Sequence, residues 1–368
     1  ANLDLTALSL RISRIMSGLM PLSVLLIFLL TVAIIGVSSK QINALDANIE
    51  AQRMEIASTV GNLQAFLVYL AMMIGAVAMA AEMFIMLPRA KISADRINEV
   101  LEIESKIVEP KNPAIPSDSH QSILEFRDVY FSYPGATASV LSAISFTAKA
   151  GQTTAIIGGT GSGKSSLVNL IPRYFDISYG SILLNGIDIR YMSTKVLREK
   201  IGFIPQKAFL FSGTIADNLM FGKPNASEED MWRALEVAQA AEFVKKLPDG
   251  LQTRVSQGGK NFSGGQQQRL AIARALIRRS SFYIFDDSFS ALDFITDAKL
   301  RAALKDDLKD SALIIVAQRV GTILDADQII VLDEGRVAGI GKHKDLLENC
   351  DVYREIALSQ LSAEDLAI

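Results

Sequence analysis

Residues Thr153–Ile171 read TTAIIGGTGSGKSSLVNLI. The opening TTAII is a short apolar run of strand formers. The closing SSLVNLI spaces its apolar residues as a helix does, and glycines crowd the turn between. Gly158 to Ser165 fits the pattern of Gly, four residues, then Gly-Lys-Ser/Thr, with a further glycine at Gly161. A chain of phosphates needs several backbone N–H groups turned toward it, and glycine lets the backbone wrap that closely. The helix that follows adds its positive end. Gly158, Gly159, Thr160, Gly161, Ser162, Gly163, Lys164, Ser165 and Ser166 are therefore the candidate nucleotide-binding residues. Lys164 has the reach for the outer phosphates, and the Ser165 hydroxyl can ligate Mg²⁺.

Working outward, SFYIFDD (281–287) reads as a buried central strand that delivers Asp286 and Asp287 at its end, where a parallel sheet presents groups to a ligand. Asp286 suits a Mg²⁺ shell. NFSGGQQQRLAIARAL (261–276) is a second glycine-rich turn opening a helix. One nucleotide cannot easily use two such loops of one chain, so the second is expected to serve a nucleotide held by another subunit.

Upstream, two stretches carry no charge: Ile15–Ser39, 25 residues between Arg14 and Lys40, and Ile56–Ala81, 26 residues between Glu55 and Glu82. A bilayer core takes roughly 20 apolar residues in a helix. Two transmembrane helices are expected at about 15–39 and 60–87. Arg11 and Arg14 precede the first, Arg89, Lys91 and Arg96 follow the second, and Asp46, Glu50 and Glu55 dilute Lys40 and Arg53 between them. The positive-inside rule puts both ends, and the segment that follows, in the cytoplasm. EPKNPAIPSDSH (109–120), with Pro110, Pro113 and Pro116, reads as an extended linker. The expected division is a membrane part over 1–110, a linker over 111–122 and an α/β phosphate-loop domain with a helical subdomain over 123–368.

Composition narrows the function classes. Among 368 residues, 37 are Lys or Arg and 40 Asp or Glu, a net charge of -3 that argues against coating nucleic acid. One cysteine, Cys350, and two histidines leave no disulfide scaffold or Cys/His zinc module. Trp232 is expected to pack in a helical region, His120 and His343 to lie at the surface, and Arg278 and Arg279 to close a helix.

At these residues the chain resembles an ABC exporter half-transporter. Phe262–Gln266, FSGGQ, resembles the family signature LSGGQ, and Ser290–Asp293, SALD, the loop after the Walker B strand. Gln206 in GFIPQKAFLFSGTIADNL stands at the glutamine that contacts Mg²⁺, and Tyr133 in FSYPG at the ring that stacks on adenine. KISADRINEVLEIE resembles the stretch joining the last membrane helix to the ATPase. The resemblance implies ATP and Mg²⁺ as cofactors and a head-to-tail ATPase dimer. Each nucleotide would lie between one chain's phosphate loop and the signature Ser263, Gly264, Gly265 and Gln266 of the other, with Asp293 nearby. It also implies six membrane helices per half-transporter. The two seen here correspond to the fifth and sixth, and the chain is expected to be a piece of a longer protein.

Two departures bear on catalysis. The family carries glutamate where this chain has Asp287, and a switch-loop histidine where VAQRV supplies Gln318. A carboxylate shortened by one methylene sits back by roughly 1 Å, a displacement that can cost about 100-fold. Glutamine can hydrogen-bond a γ-phosphate but brings no positive charge to it. With Lys164, these residues form the expected catalytic set of a site that holds ATP and turns it over slowly. The signature, by contrast, is intact. The chain is expected to resemble the degenerate-site subunit of a bacterial heterodimeric multidrug exporter, completing a competent site on a partner half-transporter and moving a drug-like or lipid-like molecule across the cell membrane. A homodimeric exporter with weak ATPase and a non-catalytic regulatory or scaffold subunit are the alternatives.

Overall fold

The computed structural model describes residues 2–44, 50–103, 105, 107–114 and 122–361. The chain divides into two compact units, Ala1–Glu104 and Ser105–Ile368.

The first unit is a helix pair, α1 (Asn2–Asn43) and α2 (Glu50–Leu101). Val24–Asn43 and Gln52–Leu101 are long and apolar enough to cross a membrane, by length and composition. Leu25, Phe28, Val32, Val77 and Phe84 are each more than half exposed, apolar exposure that water would penalise and lipid would not. Pro21 and Pro88 both lie inside continuous helices. Asp46, Pro116 and His120 fall outside the described residues.

The second unit is built on two sheets. Its strands are β1 (Ile123–Phe131), β2 (Leu141–Lys149), β3 (Thr153–Gly158), β4 (Tyr179–Leu184), β5 (Ile187–Asp188), β6 (Ile201–Ile204), β7 (Gly213–Thr214), β8 (Arg254–Val255), β9 (Phe282–Asp286), β10 (Ala312–Val316), β11 (Gln328–Asp333) and β12 (Arg336–Gly341). Its helices are α3 (Lys164–Leu170), α4 (Thr194–Glu199), α5 (Ile215–Met220), α6 (Glu228–Val237), α7 (Ala241–Lys245), α8 (Gly264–Leu276), α9 (Phe294–Asp307), α10 (His343–Asn349) and α11 (Asp351–Leu358). One sheet has the order β12-β11-β3-β10-β9-β6 and is parallel except for β12. The other, β2-β1-β4-β5, is antiparallel, and β7 and β8 pair separately.

Period-two alternation sorts the central strands between two cores. Ala155, Ile157, Tyr283, Phe285, Leu313 and Ile315 face the core shared with α5–α9, whereas Ile156, Phe282, Ile284, Ala312, Ile314 and Val316 face the core beneath the antiparallel sheet. A parallel strand covered on both faces has no polar side, and Phe282–Asp286 is buried throughout, as its continuous apolar run implies. Register then decides where chemistry collects. Val316 of β10 pairs with both Ile156 of β3 and Asp286 of β9, so the carboxyl ends of these three strands lie side by side.

The unit boundary falls at Glu104/Ser105 rather than near 110. The shift has a visible cause. Glu109 accepts the N–H and hydroxyl of Thr194 at the start of α4, and the buried Arg173 donates to the Val108 carbonyl at 3.2 Å. Further along, Ala114 donates to Tyr191 at 2.8 Å. The segment expected to be an extended linker is thus hydrogen-bonded to the sheet domain at Glu109 and Ala114. His343, expected at the surface, is buried with Nδ1 2.7 Å from the Tyr353 hydroxyl. Helix α8 ends at Leu276, and Arg279 closes it at φ +58° with its N–H on the Leu276 carbonyl at 3.1 Å, while the Arg278 guanidinium binds the carbonyls of Gly222 and Arg198. Trp232 is half-buried against the helical core, and Cys350 is a buried free thiol.

Candidate nucleotide site

The chain leaves β3 at Gly158, where a Cβ would stand 2.1 Å from the Leu332 carbonyl oxygen. No other residue fits there. Gly163, the residue before α3, has φ +97° and would drive a Cβ to 2.7 Å from Leu141 Cδ2. Backbone crowding and a left-handed turn thus both demand glycine at the loop's two ends. Lys164 bends back over the loop, its ammonium donating to the carbonyls of Gly158 at 2.8 Å and Gly159 at 2.7 Å. Burial pulls its pKa below the ordinary lysine value, while Asp287 and Asp286 oppose the shift.

Asp286 leaves the end of β9 and accepts the Ser165 hydroxyl at 3.3 Å. Burial raises its carboxyl above the usual range, and the Ser165 bond partly offsets this. Asp287 turns into the left-handed region at φ +48°, a conformation that aspartate tolerates better than longer side chains. Its N–H donates to Val316 at 3.0 Å, which fixes the turn to β10. Its Oδ2 accepts two amides at once, Gln206 Nε2 at 3.0 Å and Gln318 Nε2 at 2.7 Å. Burial also pushes Asp287 up, against the Gln206 bond and the charges of Lys164 and Arg319.

These groups surround a cavity of about 570 Å³ lined by the loop residues, Gln206, Asp286, Asp287 and Gln318. That is ample for a phosphate chain, and the chemistry is consistent: backbone N–H donors and one ammonium on one side, two carboxylates and two amides on the other. Ser165, Asp286 and the amide oxygen of Gln206 are hard oxygen donors of the kind Mg²⁺ takes. The amide nitrogen of Gln206 is committed to Asp287, so only its oxygen could face a cation.

Tyr133, the signature residues and Asp293 do not line this cavity. Tyr133 stands at its margin, its hydroxyl 2.9 Å from Ser166 Oγ and its ring edge-on to Phe131 and Phe175. Ser263 caps α8 in a reciprocal box. Its Oγ accepts the Gln266 N–H at 3.3 Å, and Gln266 Oε1 accepts the Ser263 N–H at 3.0 Å. Asp293 caps α9 through the Thr296 N–H at 3.0 Å, which lowers its carboxyl pKa. Sequence reading passed over Ser359 and Gln360, which reach the cavity from beyond α11. No local pattern announces them.

Comparison with known proteins agrees with this geometry. The ABC transporter family model matches residues 141–290. An uncharacterized ABC transporter ATP-binding protein of Mycobacterium tuberculosis is 51% identical over 304 residues, which is 82% of this chain and 52% of that protein. The ATP-dependent lipid A-core flippase of Haemophilus influenzae is 38% identical over 275 residues, 74% of this chain and 46% of the flippase. A bacterial Atm1-family ABC exporter, solved with ATP bound, superposes with a TM-score of 0.70 at 31% identity, covering 83% of this chain and 53% of the exporter. The chain spans about half the length of the curated relatives it matches. The phosphate loop, paired carboxylates and capped signature helix on this sheet give the chain the ATP-binding domain of the ABC transporter family.

Proposed function

We propose that this chain is part of the ATP-binding/permease subunit of a heterodimeric membrane exporter, whose own ATP site is slow and whose signature loop completes the partner's site. ATP is the substrate. Lys164 and the N–H groups of Gly158–Ser166 hold the phosphates, and Tyr133 at the cavity margin offers its ring to the base. Ser165, Asp286 and the Gln206 oxygen are the groups that would hold Mg²⁺, which when bound neutralises phosphate charge. Among the described residues that line the cavity, Asp287 is the carboxylate free of that duty. It would orient the attacking water.

The observation that carries the slow-site reading is the bond from Gln318 Nε2 to Asp287 Oδ2. A histidine here could be protonated and lend positive charge to the γ-phosphate as water attacks it, whereas an amide cannot. With Gln206 on the same oxygen, Asp287 is held back by two donors and by a side chain one methylene shorter than glutamate. A general base contributes about 10²–10⁴-fold to a rate, so misplacing it is enough to leave ATP bound but slowly consumed.

The exposed signature loop supports the partner half of the reading, since Ser263–Gln266 lies outside this chain's own cavity with its turn already satisfied by its own side chains. The apolar surfaces of α1 and α2, with basic residues at their outer flanks, support a membrane location with the ATPase on the cytoplasmic side. The cargo reading is drug-like or lipid-like, the latter by likeness to the Haemophilus flippase.

The test is turnover before and after mixing with a partner half that carries glutamate and histidine at the positions of Asp287 and Gln318. Slow hydrolysis alone and fast hydrolysis in the mixture are expected. Ser263→Arg in this chain should abolish the partner-dependent rate and leave ATP binding here unchanged. Fast turnover by this chain alone would favour a homodimer, and a mixture indifferent to Ser263→Arg would leave a scaffold subunit.

A further inference from the structure

Helix α11 is anchored in the core by Tyr353 and Ala357, both fully buried. The two residues after its end, Ser359 and Gln360, reach the nucleotide cavity. Gln360 clasps the switch loop with both ends of one amide. Its Nε2 donates to the Gln318 carbonyl at 2.9 Å and its Oε1 accepts the Val320 N–H at 2.8 Å. The two peptide groups lie on either side of Arg319. A carboxamide presents one donor and one acceptor side by side, which is what this pair of peptide groups requires. Glutamate would lose the donor and lysine the acceptor. From the clasped backbone the Gln318 side chain then extends to Asp287 Oδ2 at 2.7 Å. One continuous series of bonds therefore runs from α11 through Gln360 and the Gln318 backbone to the carboxylate at the phosphate end of the cavity.

The clasp is economical. Val320 is fully buried and holds the far side of the loop in the core, whereas Gln318 and Arg319 are exposed. Among the bonds seen here, the Gln318 carbonyl is tied down by Gln360 rather than by a strand neighbour, because β10 ends two residues earlier at Val316.

We infer that Gln360 is a positioning residue that sets the switch loop at the height of the γ-phosphate, so that the segment after α11 determines how strongly the site prefers ATP to ADP. This rests on the reading of Gln318 as the residue that meets the γ-phosphate. A group acting there is felt by ATP and not by ADP, whereas a general loosening of the fold weakens both nucleotides alike.

The experiment is equilibrium binding of ATP and of ADP, each with Mg²⁺, to the whole chain in lipid nanodiscs. Gln360→Ala should lower ATP affinity about 5- to 10-fold, the size of one to two lost hydrogen bonds, with ADP affinity held within about twofold. Gln318→Ala should reproduce the selective loss, and the double variant should be no worse than Gln318→Ala, because both act through one series of bonds. Gln360 is exposed, and an unchanged melting temperature will certify the fold of the variant. Equal losses for ATP and ADP, no loss, or additive losses in the double variant overturn the inference. If Gln318→Ala leaves the ATP-to-ADP ratio untouched, the γ-phosphate reading fails and takes the clasp with it. If Gln318→Ala lowers the ratio and Gln360→Ala does not, the clasp alone fails.

Discussion

The two glycine-rich loops of this chain look alike in sequence and differ in construction. In Gly158–Ser166 the fold compels glycine at both ends: Gly158 presses against the Leu332 carbonyl, and Gly163 takes a left-handed turn over Leu141. The loop is ringed by its own Lys164 ammonium and by two carboxylates brought from the end of β9. In Ser263–Gln266 nothing crowds Gly264, a Cβ on Gly265 would stand 3.3 Å from the Ala291 carbonyl oxygen, and the Ser263 and Gln266 N–H groups are met by side chains of the turn itself. The first loop depends on its surroundings and defines a cavity. The second is complete as a helix cap and stays exposed. A cap that satisfies itself can be presented to another molecule at little cost, as the proposed partner contact requires.

The largest expected effect tests whether the first loop's surroundings limit hydrolysis at this site. Asp287→Glu with Gln318→His should raise steady-state ATP hydrolysis about 100-fold in the assembled pair, the size of a realigned general base. An unchanged rate would place the limit elsewhere. Glutamate is a poorer occupant of the left-handed turn at φ +48° than aspartate, so the gain should come with a lower melting temperature.

Lys164→Ala tests the ammonium. A hydrogen bond to a charged group is worth about 1.5–3 kcal/mol, so ATP affinity should fall about 10- to 100-fold by titration. Ser263→Arg should leave that same titration where it was, which is the sharpest single contrast between the loops. Tyr133→Ala should weaken ATP about 10-fold, since an aromatic ring stacked on a base is worth roughly 1–3 kcal/mol. Inorganic triphosphate, which has no base, should not notice the change.

The smallest effect concerns stability. Burial raises the Asp286 pKa in the fold, so the protonated carboxyl is the form the fold favours. The stability it lends is fully present below the ordinary aspartate range and is lost as pH rises through the elevated value. Asp286→Asn removes that loss. Without nucleotide it should melt above the parent at neutral pH, and the gap should close in acid. A variant that melts lower at neutral pH would mean that the Ser165–Asp286 bond outweighs the burial of charge.

Much of this was open to inspection in the chain itself. The phosphate loop, the strand 282–286 with its terminal carboxylates and the helix opened by Ser263 are local patterns, each fixed by sterics or periodicity within about 20 residues. The apolar runs foretold α1 and α2 for the same reason, although both helices extend well past the charge-free stretches. Prolines mark the extended segment before the sheet domain, but they report what a segment cannot do and not what it will touch. Glu109, Val108 and Ala114 find partners 65 to 85 residues away in sequence. His343 was placed at the surface because nothing near it in sequence reveals Tyr353 across the turn between α10 and α11.

Sequence alone determined which residues can wrap phosphate, which strand ends in carboxylates and which helices are apolar enough for lipid, because these follow from backbone sterics and from the spacing of neighbours along the chain. Tertiary structure decided that Asp287 is shared by Gln206 and Gln318, that Lys164 is half-buried among carboxylates, and that Gln360 clasps the switch loop from the far end of the fold. Those contacts join residues 31 to 123 positions apart. Only the parallel register that sets β3, β10 and β9 side by side, with α11 docked on the core beside them, brings such distant groups within hydrogen-bonding reach.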